Sequence, residues 1–217
     1  MAQVTDIPAL GKISGLARKE PIYDTEGWAP AVPLPAQITT FGNFTTFATA
    51  GLSLVKAFGR DTNLTGGQGG LPQAHRFMWY KWRSKIRPMD ANMGLAANIL
   101  VQEQISRARQ LSNVTLQLAQ TRYITVQHDE LLGFTDSMFV ATTTVAAYVP
   151  TPAVGDRQGR DITVRGEPKI LEPLENFQVL TQVPSFTAGV GPGPLSPTVS
   201  LYVTSFLDGI LIRGIVG

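Results

Sequence analysis

The sequence predicts a mainly β protein: an antiparallel β-sandwich or jelly roll of about eight or nine strands, with one inserted α-helix over 90–111 and an extended N-terminal arm. Three observations carry this. Runs rich in Thr, Val, Ile and Phe recur along the chain, separated by Gly/Pro segments such as 59-GRDTNLTGGQGGLPQ-73 and 185-SFTAGVGPGPLSPT-198. One segment alone repeats its apolar residues convincingly at helical spacing. Regular strand–helix alternation, which a parallel nucleotide-binding sheet needs, is missing. Long Gly/Pro connections favour a sandwich over a tight up-and-down barrel.

In chain order, residues 1–36 read as the arm and 37–217 as a single domain. Within the arm, 21-PIYDTEGWAPAVPLPAQ-37 carries Pro21, Pro30, Pro33 and Pro35, which fix φ and remove backbone donors, so the chain runs extended. Trp28, Val32 and Leu34 are apolar residues that a solvated linker does not favour. The arm is therefore either a disordered leader or a segment that orders against the domain or a neighbouring subunit. From Ile38 the texture turns to short strands with bends, through 38-ITTFGNFTTFATAGLSLVKAF-58.

The stretch 76-RFMWYKWRSKIR-87 reads as a strand ended by Pro88. At period two, Met78, Tyr80, Trp82 and Ile86 share one face, which packs a core. Phe77, Trp79, Lys81, Arg83 and Lys85 share the other. The helix over 90–111 starts at Asp90, a capping residue, and places Met93, Ala97, Leu100, Val101, Ile105, Ala108 and Leu111 on one face. Gln102, Glu103, Arg107 and Arg109 fall largely off it.

The remainder reads as β. The segment 114–127 is one long bent strand or a hairpin, and 138–149 is a β-branched run ended by Pro150. Short strands follow at 161–166 and 177–183. In 198–217, Asp208-Gly209 signals a hairpin; the alternative is one long terminal strand with a bulge at the glycine.

Composition narrows the function classes. Charged residues make up 16% of the chain, below the roughly 25% of typical soluble domains, so broad surfaces are either buried against partners or polar and uncharged. The net charge of +2 and pI near 9.0 do not by themselves argue for a nucleic-acid partner. Of the 18 basic residues, 12 are Arg, which suits fixed bidentate contacts. The absence of cysteine removes disulfides, thiol catalysis and Cys-based metal sites. The start lacks the apolar stretch of a secretory signal, and no run of about 18 apolar residues occurs, so neither export, an outer-membrane barrel nor a transmembrane helix is expected.

The catalytic inventory is thin. His128-Asp129-Glu130 fits a polar turn better than a metal site, because neighbouring strand residues point to opposite faces. His75 has no carboxylate nearby in sequence, and no G-x-S-x-G elbow supports a triad. The glycines of 66-GGQGG-70 lack the Lys-Ser/Thr of a phosphate loop. No catalytic residue, metal or cofactor is expected, and no small-molecule substrate.

The Gly/Pro loop and strand DTNLTGGQGGLPQAHRF (61–77), the helix from Asp90 and the closing hydrophobic strands VSLYVTSFLDGILIRGIV (199–216) together resemble the jelly-roll major capsid proteins of icosahedral, membrane-containing bacteriophages. The resemblance covers most of 38–217 as a pattern. It implies a single elaborated jelly roll, since double jelly-roll members are usually longer. It also implies a virion shell subunit, assembled in the host cytoplasm through lateral contacts with copies of itself and other capsid subunits. On this reading Trp28, Val32, Leu34 and Trp79 are subunit-interface residues, and the basic edge Arg83, Lys85 and Arg87 meets an anionic surface, whether lipid or nucleic acid. The rival classes are a carbohydrate- or receptor-binding module that exposes Trp79 or Tyr80, an enzyme on a β-sandwich, and a nucleic-acid binder.

Overall fold

Two long strands build the protein around each other. The structure, a computed structural model, describes residues 15–28, 36–48, 55–65, 70–72, 75–88, 105, 108–131, 137–138, 151–152, 160–161, 169–184 and 201–214. Strands β4 (His75–Pro88) and β12 (Leu201–Gly214) are each 14 residues long and pair antiparallel along almost their whole length. On its other edge β12 takes β1 (Gly15–Lys19) and β2 (Ile22–Trp28) in succession. The break between them falls at Glu20-Pro21, and proline has no N–H to give a ladder. Residues 15–28 of the predicted arm are thus strands of the large sheet, ordered against their own domain. The far edge of β4 pairs with β9 (Arg160–Asp161) and β10 (Lys169–Leu171).

A second antiparallel sheet runs β3–β11–β5–β6: β3 (Ala36–Thr40), β11 (Phe177–Val183), β5 (Asn113–Leu118) and β6 (Thr121–Gln127). The run 114–127 is therefore a hairpin, turning at Ala119-Gln120 with Ala119 at φ +52°. A short pair, β7 (Ser137–Met138) with β8 (Thr151–Pro152), stands apart; the rest of the 138–149 run lies outside the described residues. The two large sheets pack as a sandwich. Phe77, Trp79, Trp82 and Leu207 of one interlock with Val114, Leu116, Phe177 and Val179 of the other.

A second apolar cluster contains Trp28, Ile38, Ile86, Val183, Leu201 and Val203, closed by Ile105 and Ala108 of the helix. Between the clusters the same strands carry buried polar residues: Asp24, Thr40, Ser84, Thr181 and Ser205. Thr40 Oγ1 donates to Ser205 Oγ at 2.9 Å, so part of this layer is satisfied by cross-sheet hydrogen bonds. Of the helix, Ile105 and residues 108–111 are described. Ile105 and Ala108 face the core as their spacing predicts, but Leu111 is exposed at the helix end. Arg109, expected off the buried face, is buried and donates from Nη2 to the Ile86 carbonyl at 2.9 Å.

Two readings of strand geometry are corrected. No hairpin forms at Asp208-Gly209: β12 continues straight through, because β4 on one side and β1 and β2 on the other already supply its partners. The register with β4 shifts there instead. Asp208 faces Lys81 and Gly209 faces Trp79, which leaves Tyr80 as the extra residue of a bulge. The bulge inverts the phase of β4. Before it, Phe77 and Trp79 point into the core; after it, Trp82, Ser84 and Ile86 do. A uniform period of two had put Trp79 on the opposite face from Trp82.

Candidate functional site

Beyond the bulge, Lys81, Arg83, Lys85 and Arg87 alternate onto the face of β4 that points away from the core. Opposite them on β12 stand Asp208, Phe206, Thr204 and Tyr202. Arg83 makes a two-pronged ion pair, donating from Nε and Nη2 to the Asp208 carboxylate at 2.6 and 2.7 Å. Its guanidinium also lies 4.9 Å from the Phe206 ring centre, and Arg87 lies 4.8 Å from that of Tyr202. Tyr23 extends the row by packing on Phe206 at 5.7 Å. The structure thus brings the predicted set Arg83, Lys85 and Arg87 onto one face, and commits Arg83 to an acid of its own chain.

Where β1 gives way to β2 and β4 bulges, the two irregularities line up and open a cleft of about 520 Å³. Lys19, Glu20 and Pro21 line one side, Tyr80, Lys81 and Arg83 the other, and Asp208 with Gly209 the middle strand. Arg18 and Arg213 approach Glu20 at 3.1 and 3.6 Å, so both acids of the cleft have cationic neighbours.

The predicted interface residues fare differently. Trp28 and Trp79 are buried in the two core clusters of their own chain, so neither ring is available to a neighbouring subunit. The burial of Trp79 follows from the phase inversion, and that of Trp28 from the pairing of β2 with β12. Val32 and Leu34 lie outside the described residues.

A constellation not anticipated from the sequence lies inside the sandwich. Asp24 and Glu26, two apart on β2, are both buried, and so is Lys56. Lys56 Nζ donates to both oxygens of Asp24 at 2.9 Å and to the Asn43 carbonyl at 2.6 Å, and stands 3.4 Å from Glu26 Oε2. The Glu26 Oε1 atom accepts from the N–H groups of Gly27 and Ala48 at 3.0 and 2.8 Å. Asp24 Oδ2 accepts from the Phe41 N–H at 2.7 Å. To aim that N–H, Phe41 adopts φ +64°, a conformation costing a bulky residue about 1–3 kcal/mol. Burial pushes the Asp24 carboxyl up to about 6, outweighing the pull of Lys56 downward. Two acids and one base share this low-dielectric space, and protonating one acid lowers the cost of that imbalance. The only sequence signal was a lone lysine inside the apolar run LSLVKAF.

His128 opens a 3₁₀ turn (His128–Leu131) and is fully buried, with Nδ1 3.2 Å from Ser112 Oγ. The predicted turn exists, but its histidine is a core residue. Among the described residues no three His, Cys, Asp or Glu side chains group to hold a metal. Burial first, and the Arg109 charge second, lower the His128 pKa to about 3. An unfolded histidine titrates near 6.5, so between these values the unfolded chain binds one more proton and stability falls as pH drops. Asp24 has the opposite sign, since its folded pKa of about 6 exceeds its ordinary 3.8, but it is common to wild type and variant. In urea unfolding at pH 7, 6 and 5, the advantage of wild type over His128→Asn is expected to shrink below pH 6.5 by about 1.4 kcal/mol per unit. A pH-independent advantage would contradict a buried neutral imidazole. His75, at the start of β4, is half-buried.

No protein-family profile, curated protein or solved structure matches the chain. Among the described residues, no helix is long and apolar enough to cross a membrane.

Proposed function

We propose that this chain is a structural subunit of a virion shell, with a jelly-roll topology, that self-assembles through lateral contacts of its β domain and N-terminal arm. The observation that carries this reading is the edge of the second sheet. Strand β6 pairs with β5 on one side, and no described residue pairs with its other side. Its sequence, TRYITVQ, is rich in β-formers, with one charge and no proline, and five of its seven residues are exposed. Such an edge is a template for pairing with another chain unless charge, proline or cover blunts it. The bulge at Tyr123, the residue passed over between Leu116↔Ile124 and Gln117↔Arg122, leaves Ile124–Gln127 regular. The low charge of the chain supports the same reading. The basic face of Arg83, Lys85 and Arg87 then turns to the anionic interior, lipid or nucleic acid.

Sedimentation and electron microscopy of the full chain across a concentration series test this. Closed particles or discrete large oligomers are expected. Gln127→Lys, a charge on the exposed regular stretch of the edge, is expected to shift them to small species with unchanged circular dichroism. A wild-type chain that stays monomeric at high concentration, alone and with anionic vesicles or nucleic acid, overturns the proposal.

A second reading, a carbohydrate-binding module, draws on one observation: Tyr80 lines the cleft beside Glu20 and Asp208. Saturable glycan binding that is lost in Tyr80→Ala would favour it.

A further inference from the structure

The buried cluster holds all the parts of an amide-forming reaction. An amine and a carboxyl group are in contact, a second carboxylate touches the amine, and a backbone N–H is fixed on the carboxyl oxygen. We propose that Lys56 and Asp24 condense spontaneously into an intramolecular amide bond, with Glu26 as the proton relay, so that the segment carrying Lys56 becomes covalently tied to β2.

Lys56 Nζ is equidistant from Asp24 Oδ1 and Oδ2, at 2.9 Å, so it lies on the plane that bisects the carboxyl group, and a turn of that group about Cβ–Cγ brings the face of Cγ towards the amine. Reacting groups held within about 3–3.5 Å need only alignment, not a further encounter, to react. The Asn43 carbonyl fixes the amine at 2.6 Å. In water an ammonium and a carboxylate do not condense. Here both side chains are sealed from solvent, and passing one proton from Lys56 to Asp24 replaces two buried charges with a neutral pair. The raised pKa of Asp24, about 6 and caused chiefly by burial, is in keeping with this.

The steps balance without any co-reactant. The neutral amine attacks Cγ of the neutral carboxyl group, and the C–N bond forms. Oδ2 becomes the oxyanion and is held by the Phe41 N–H, already 2.7 Å away. Glu26 Oε2, 3.4 Å from Nζ, takes the proton from the attacking nitrogen and passes it to Oδ1. The C–Oδ1 bond breaks, Oδ1 leaves as water, and Oδ2 remains as the amide oxygen. Glu26 ends as the carboxylate it began as. Its Oε1 is anchored by Gly27 and Ala48, which keeps Oε2 beside the amine.

The product is written in the tryptic map. No Lys or Arg lies between Glu20 and Lys56, so a linear chain releases fragment 20–56. An amide at Lys56 blocks that cut and yields fragment 20–60, lighter by one water, with fragmentation placing the bond between Asp24 and Lys56. This is the result expected for the full chain, folded and incubated near neutral pH. Glu26→Gln is expected to form the bond about 100-fold more slowly or worse. Lys56→Arg and Asp24→Ala are expected at full mass, a reading that holds whether or not they fold. A folded wild type that releases 20–56 at full mass overturns the proposal. So does an amide found on Glu26 in place of Asp24, or Glu26→Gln condensing as fast as wild type.

Discussion

Replacing Lys56 with Met is expected to cost about 3–5 kcal/mol of stability at pH 7, the range for removing one partner of a buried ion pair. The methionine fills the space of the lysine stem, so lost packing is a minor part. The large part is what remains: Asp24 and Glu26, both buried, facing each other across the space where the cation stood. The pH dependence separates this cause from general damage. Without Lys56 the Asp24 carboxyl loses the largest influence that lowers it, keeps only the Phe41 N–H, and rises beyond its wild-type value of about 6. A folded pKa above the unfolded one means that the folded state binds the extra proton, so relative to wild type the variant regains stability as pH falls from 7 towards 6, below which Asp24 takes up its proton in both proteins and His128 acts equally on both. Adding Asp24→Asn to Lys56→Met is expected to recover part of the loss, because it removes the orphaned charge. Urea unfolding of the three proteins at pH 7 and pH 5 measures this. A loss below about 1 kcal/mol, the same at both pH values, would mean the cluster is not a buried ion pair. Where the Lys56–Asp24 amide has formed, its removal adds to the loss.

Gly209→Ala is expected to cost about 3 kcal/mol, at the upper end for overpacking, because the obstacle includes backbone. A Cβ on Gly209 would come within 2.5 Å of the Phe77 ring and closer still to the Met78 carbonyl oxygen. The two strands meet there at the bulge, so relief requires moving β4, which carries Phe77, Trp79 and Trp82 into the core. Gly42→Ala is the matched control. Its Cβ would meet only the Thr39 methyl, at 3.3 Å, and a change within about 1 kcal/mol is expected there. Chemical denaturation of both variants provides the comparison. Equal effects at the two glycines would show that the close approach at Gly209 relaxes freely.

Much of the architecture was readable in the residues. FQVLTQV is β11 from end to end, and the alternation in 114–127 is that of the β5–β6 hairpin. The helical spacing of Ile105 and Ala108 does place both in the core. The site was readable only in outline. Arg83, Lys85 and Arg87 share a face because they are two apart and lie beyond the bulge. The Arg83–Asp208 pair, the cleft and the Lys56 cluster join positions remote in sequence, and no local pattern encodes such a meeting.

By itself, then, the sequence determined the β-rich class and strands such as β4, β5, β6 and β11, because β-branched and aromatic side chains with period-two spacing favour a pleated surface whatever they pair with, while β1 and β2 read only as an extended arm. It also determined where β4 stops, at Pro88. Tertiary structure decided which face each strand presents, since phase is set by the partner's register. Tyr80 bulges because Gly209 lies opposite Trp79, and this turned Trp79 inward and Arg83 outward. It also decided which charges matter. Asp24, Glu26 and Lys56 look like ordinary surface residues in the chain, and become a reactive cluster only because folding places them together where water cannot compete.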